Sequence, residues 1–193
     1  MQIPFEPLIF GHSVNIHLIF EYLAFFIAFR YYIYLKKGKT DKISKTNRLS
    51  IIVAATLGAL VGSRLFAYFE NPVIIDNFEL AVSLLNQKTI MGGLFGGLIA
   101  VELAKLMIKE KNSSGDLFVL PIILGIIIGR IGCFLYGINE FTYGIETTSI
   151  FGMDLGDGLN RHPIALYEIL FLIILFILIQ FKQKTPSEPG LYF

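Results

Sequence analysis

The sequence predicts an all-α integral membrane protein: a polytopic helix bundle with about five full transmembrane helices and the start of a sixth. Three observations lead to that class. Hydrophobic residues make up 54% of the 193, above the roughly 45–50% of a soluble domain. Five apolar runs each approach or exceed the length of about 20 residues that a spanning helix needs. Lysine and arginine are concentrated in alternate connecting loops.

The runs cover residues 14–35, 49–70, 90–109, 117–136 and 163–181. Together they read as one transmembrane domain over 1–193. Residues 1–17 have no basic stretch and no small-residue cleavage site, so the first run is expected to stay in the protein. The 182–193 tail, ending "TPSEPGLYF", reads as a loop followed by the first residues of a further span that stops short.

Cytoplasmic loops carry the excess of Lys and Arg. The 36–48 loop holds Lys36, Lys37, Lys39, Lys42, Lys45 and Arg48, and the 109–116 and 182–189 segments hold two lysines each. The alternate loops, 71–88 and 137–162, hold only Lys88 and Arg161. This places 36–48 in the cytoplasm, 137–162 on the outer side and the N-terminus outside. The net charge of +1 gives no sign of a nucleic-acid partner. One cysteine, Cys133, rules out an intrachain disulfide.

Glycines recur at a spacing of four: Gly58 and Gly62, Gly92 and Gly96, Gly93 and Gly97, Gly125 and Gly129. Small residues so spaced let helix backbones approach closely. They are expected to be packing devices.

Ionisable groups inside a span are costly and mark function by default. Counted from the outer end at 1.5 Å per residue, Glu21, Arg64, Arg130 and Glu168 all lie about 8–10 Å deep. Four helices thus bring two charges of each sign to one level. One reading is an ion-pair network that only fixes helix register. The other is a polar chamber in which an arginine fork binds phosphate. Glu102 lies deeper and has no evident place in either. His17 precedes Glu21 by four residues and shares its face. His162 precedes Pro163, which opens the fifth run at a position where proline is favoured. Cys133 is expected to be a buried, inert thiol.

The stretches "GRIGCFLYG" and "RHPIALYE" resemble the prolipoprotein diacylglyceryl transferase family, with its Gly-Arg-(Leu/Ile)-Gly-Asn-Phe and Arg-His-Pro-x-Gln-Leu-Tyr-Glu signatures. "IMGGLFGGLIAVE" is similar to that family's His-Gly-Gly-Leu helix, and "NIHLIFEYLAFFIAF" to its first helix. The resemblance covers essentially the whole chain. It implies transfer of a diacylglyceryl group from phosphatidylglycerol to the lipobox cysteine of a preprolipoprotein, in the bacterial inner membrane. Glycerol phosphate leaves and a thioether forms. It implies Arg130 as the phospholipid-binding arginine and Tyr167, Glu168 and His162 as residues that orient polar groups of lipid or peptide; Arg64 is a second binding candidate by depth alone. Glu168 and His162 fall in the second signature, and His17 or Glu21 would serve as the base. No metal and no cofactor are implied.

Some positions depart from the family pattern. Cys133 stands for its Asn, Met91 for its His, Phe20 for its Tyr and Ala165 for its Gln. "GINEFTYG" does not align cleanly with its Gly-Glu-x-x-Gly. Three other readings stay open: a phospholipid-binding relative that is non-catalytic or differently specific, a small membrane transporter, and a structural membrane subunit.

Overall fold

The computed structural model describes residues 3–9, 11–37, 43–70, 72, 88–113, 115–140 and 143–183. The rest of the chain, including most of the 71–88 loop and the expected start of a sixth helix, lies outside the described residues. Among the described residues, five helices are long and apolar enough to cross a membrane. Their large apolar side chains are widely exposed, among them Phe25, Phe29, Met107 and Phe171. A water-soluble fold buries such surface; a multi-pass membrane protein presents it to lipid.

The chain forms two compact units. The first, Met1–Lys39 with Gly115–Phe193, contains α1 (Ile16–Lys36) and the helices here called α4 (Asp116–Tyr136) and α5 (Ile164–Gln183). Asn15 caps α1: its side-chain oxygen accepts the Leu18 N–H at 3.1 Å, satisfying a donor that the first turn leaves orphaned. α1 and α4 run antiparallel. Tyr32 stacks on Phe118 at one end, with ring centroids 4.4 Å apart, and His17 meets Tyr136 at the other, at 5.9 Å.

Between these ends the approach depends on two glycines of α4. A Cβ on Gly125 would come 3.3 Å from the Ala28 Cβ, and one on Gly132 would come 2.7 Å from the Phe20 Cβ. Gly129, paired with Gly125 by spacing alone, has nothing within 4 Å of where its Cβ would stand. The close-contact pair is therefore 125 and 132, two helical turns apart on one face.

The 137–162 segment, read from sequence as an outer loop, folds. A 3-10 turn, Gly137–Asn139, follows α4 directly. Strands β3 (Met153–Asp154) and β4 (Asn160–Arg161) form an antiparallel hairpin, Met153 opposite Arg161. Its turn is built by Asp154, whose Oδ1 accepts the N–H groups of Gly156 at 2.8 Å and Gly158 at 3.0 Å. Both glycines have positive φ, the region that side chains avoid. A shorter hairpin, β1 (Leu8–Ile9) and β2 (His12–Ser13), precedes α1. The Phe5 N–H donates to the Leu135 carbonyl at 2.8 Å, so the N-terminal stretch rests on the end of α4.

The second unit, Thr40–Ser114, holds α2 (Lys45–Glu70) and α3 (Ile90–Ile108). α2 begins four residues before the expected 49. Ser44 accounts for this: its hydroxyl accepts the Asn47 N–H at 3.1 Å and its carbonyl the Arg48 N–H at 2.9 Å. Arg48, expected in the basic loop, is consequently helical and buried. Thr89 caps α3: its hydroxyl accepts the Gly92 N–H at 3.2 Å. The two helices cross through their glycines. A Cβ at Gly58 or Gly62 would fall onto the Gly96 or Gly92 backbone, and the reverse holds. The spacing-of-four reading applies to Gly58/Gly62 and Gly92/Gly96, whereas Gly93 and Gly97 would make only ordinary contacts of 3.4–4.0 Å with α2.

Candidate functional site

Four short segments of the first unit bring the polar groups together. Arg130 and Cys133 lie three residues apart on α4 and so share a face. Arg130 Nη1 donates to Cys133 Sγ at 3.9 Å. Gly132, between them, admits α1 at its first turn, where the His17 backbone would be 3.4 Å from an added Cβ. The α4 helix stops at Gly137, with φ of +57°, and the 3-10 turn then swings Glu140 back. Glu140 Oε2 lies 3.5 Å from His17 Nε2, both side chains 23% exposed. The ligating atoms of His17, Cys133 and Glu140 all fall within 4.8 Å of one another.

Glu168 on α5 completes the cluster by ion-pairing with Arg130 Nε. Arg130 is the more buried partner, with 13% of its side chain exposed against 39% for Glu168, so loss of Glu168 would leave a largely buried cation uncompensated. The cluster therefore runs Glu140, His17, Cys133, Arg130, Glu168. Beside it, Cys133, Gly137, Tyr143 and Ala165 line a cavity of about 10 Å³, about the room for one water.

At the start of α5, His162 Nδ1 and the Tyr167 hydroxyl share a hydrogen bond of 3.0 Å. The helix itself begins at Ile164, with the Pro163 carbonyl accepting the Leu166 and Tyr167 N–H groups. Proline thus caps the helix rather than occupying its first turn. Arg161 is held separately. Its Nε donates to Asp157 at 2.8 Å, Glu146 lies at 3.9 Å, and the guanidinium sits 5.0 Å over the Tyr143 ring. The Arg161 hydrogen bond holds the Asp157 carboxyl below the usual aspartate range, and Asp157 in turn pushes the Arg161 value up.

Of the residues singled out from sequence, Arg130, Glu168 and His17 enter the cluster. His162 and Tyr167 form their own pair at the start of α5, Tyr167 immediately preceding Glu168. Glu21 is half-buried on α1, one turn beyond His17. Arg64 belongs to the second unit, where its Nη1 donates to the Leu60 carbonyl and the Ser63 hydroxyl, each at 3.1 Å. Glu102, also in the second unit, pairs with Lys105 on its own helix at 3.1 Å.

Two members of the cluster were not expected. Cys133 is half-buried and accepts the Arg130 N–H. Glu140 had no assigned role. Its signal was the Gly-Glu-x-x-Gly pattern, which here is stretched: Glu140 follows Gly137 by three residues instead of one.

A family model described as prolipoprotein diacylglyceryl transferase matches residues 8–193. Curated relatives named phosphatidylglycerol–prolipoprotein diacylglyceryl transferase are similar over most of the chain. The protein of Rickettsia conorii is 35% identical over 166 residues, 78% of this chain and 61% of its own length. That of Finegoldia magna is 35% identical over 80% of this chain and 62% of its own length. That of Wolbachia pipientis from Culex pipiens is 33% identical over 75% of this chain. The chain thus spans about three fifths of the length of the relatives it matches.

Proposed function

The chain belongs to the prolipoprotein diacylglyceryl transferase family, and from that premise we propose that it transfers a diacylglyceryl group from phosphatidylglycerol to a lipobox cysteine. The observation that carries the reading is the contiguous cluster from Glu140 and His17 to Arg130 and Glu168.

The reaction needs two things. The acceptor thiol must lose a proton, and the departing glycerol phosphate must be stabilised as charge develops on it. The thiolate sulfur forms a bond to the terminal glyceryl carbon, and the bond from that carbon to the phosphate oxygen breaks. His17 takes the thiol proton, as an imidazole held in place by Glu140 is suited to do. Arg130 receives the phosphate with its planar fork, and Glu168 fixes that fork on its Nε edge. The His162–Tyr167 pair, at the entrance to α5, orients the polar part of the lipid or the signal peptide. Glu21 is an alternative base, and Arg64 is kept as a second candidate phosphate-binding residue.

The setting follows from the charge distribution. The basic 36–48 stretch faces the cytoplasm of a bacterial inner membrane, and the N-terminus and the Arg161 hairpin face outward. The acceptor is then a preprolipoprotein signal peptide whose lipobox reaches the cluster from the outer leaflet. A non-catalytic phospholipid-binding relative is the second reading, favoured by Met91, which is exposed on α3 where the family has histidine.

Expression of the gene product in cells depleted of their own transferase tests the proposal. Thioether lipidation of a reporter lipoprotein is the expected result. Phospholipid binding with no lipidation of the reporter supports the second reading and rejects the first.

A further inference from the structure

His17, Cys133 and Glu140 combine an imidazole nitrogen, a sulfur and a carboxylate oxygen from α1, α4 and the turn after α4. Among the described residues this is the one group of three such side chains with all donor atoms within 4.8 Å. We infer that these three residues form a binding site for a divalent transition-metal ion of the zinc type, with a fourth position for water.

The donor set selects the class of ion. Thiolate and imidazole suit zinc and its neighbours, whereas magnesium and calcium take oxygen ligands. Three protein ligands and a water are the arrangement of an open tetrahedral zinc site. Distances agree. Two nitrogen or oxygen ligands about 2.1 Å from a tetrahedral ion stand about 3.4 Å apart, and His17 Nε2 and Glu140 Oε2 are 3.5 Å apart. A sulfur about 2.3 Å from the ion stands about 3.6 Å from each of them, so the observed limit of 4.8 Å closes with a movement of about 1 Å.

Charge agrees as well. Binding releases the Cys133 proton, so that thiol plus divalent ion gives a thiolate-bound ion and one free proton. The thiolate and Glu140 then balance the two positive charges. Arg130, at 3.9 Å from the sulfur, is balanced by Glu168 and adds no net charge beside the ion. The surroundings support the geometry: Gly132 brings α1 against α4 at this level. Metal binding here requires none of the transferase chemistry. Because a metal-bound imidazole cannot accept a proton, an occupied site is an inhibited state of the proposed transfer.

The test uses the full chain purified in detergent under reducing conditions, stripped with a chelator and titrated with cobalt(II). The expected result is a sulfur-to-cobalt charge-transfer band that saturates at one ion per chain and is displaced by zinc. Cys133→Ser should remove the band, while monodispersity and helical circular dichroism show that the variant still folds. His17→Ala and Glu140→Gln should each weaken zinc binding by at least about tenfold, since even outer-shell partners of a metal site cost that much when lost. Absence of the band at saturating cobalt would overturn the inference, as would zinc affinity unchanged in both His17→Ala and Glu140→Gln.

Discussion

His17 Nε2 stands 3.5 Å from Glu140 Oε2, joining the first turn of α1 to the turn that follows α4. The two residues are 123 positions apart in sequence, and their meeting depends on Gly132, where α1 meets α4, and on Gly137, where α4 ends. A carboxylate so placed fixes the imidazole ring, which is the condition for directed proton transfer. His17→Ala should therefore lower the rate of reporter lipidation by about 10²–10⁴-fold, the usual worth of a positioned base. Glu140→Gln should lower it less. Because the pair acts as a unit, the double variant should be little worse than His17→Ala alone. Additive losses would argue that the two act separately.

Arg130 is assigned to phosphate through its fork, so charge alone should not suffice. Arg130→Lys should keep the protein folded yet cost about 10²–10³-fold in transfer, as loss of a transition-state donor does. The comparison is made in membranes with defined phosphatidylglycerol content. Near-normal transfer by Arg130→Lys would remove the fork from the account.

Gly132 and Gly129 make a matched structural test. An alanine at 132 would press its Cβ against Phe20, whereas one at 129 meets nothing within 4 Å. Gly132→Ala should destabilise the protein by about 1–3 kcal/mol, in the range of overpacking a tight contact, and Gly129→Ala should leave stability nearly unchanged. Thermal unfolding in detergent reads both. Because Gly132 also sets the position of His17, its alanine variant should lose transfer activity under conditions where it remains folded.

Asp157 offers a pH test of the hairpin. The Arg161 hydrogen bond depresses its folded value. The pair's contribution is therefore whole above the unfolded aspartate value of about 3.9 and is lost as pH falls through the lower folded value. Carbon-13 titration of the Asp157 carboxyl should give a midpoint below about 3.9, returning toward it in Arg161→Gln. A wild-type midpoint at or above about 3.9 would contradict the pairing.

Much of this was legible in the sequence, and the rest was not for physical reasons. The five spans follow from length and hydropathy, since the bilayer tolerates little else. Arg130 and Glu168 were singled out, with Glu21 and Arg64, because a charge in a span is expensive; which of them pair is seen only in the structure. Depth, however, says nothing of direction: Arg64 lies at the same count from its helix end, yet it hydrogen-bonds its own helix at Leu60. Glycine spacing had the same limit. It cannot tell which face meets a neighbour, so Gly129 was grouped with Gly125 where Gly132 makes the contact. Glu140 escaped because it lies outside any span and reaches His17 only through a 3-10 turn. The hairpin at 153–161 escaped because strands of two residues carry no periodic signal.

The central claim is that the His17–Glu140 and Arg130–Glu168 pairs form one transfer site. The most direct measurement is thioether lipidation of a reporter lipoprotein in transferase-depleted cells, comparing wild type with His17→Ala and Arg130→Ala at equal membrane levels. The account predicts lipidation by the wild type and its loss in both variants. Lipidation that persists undiminished in both would contradict it.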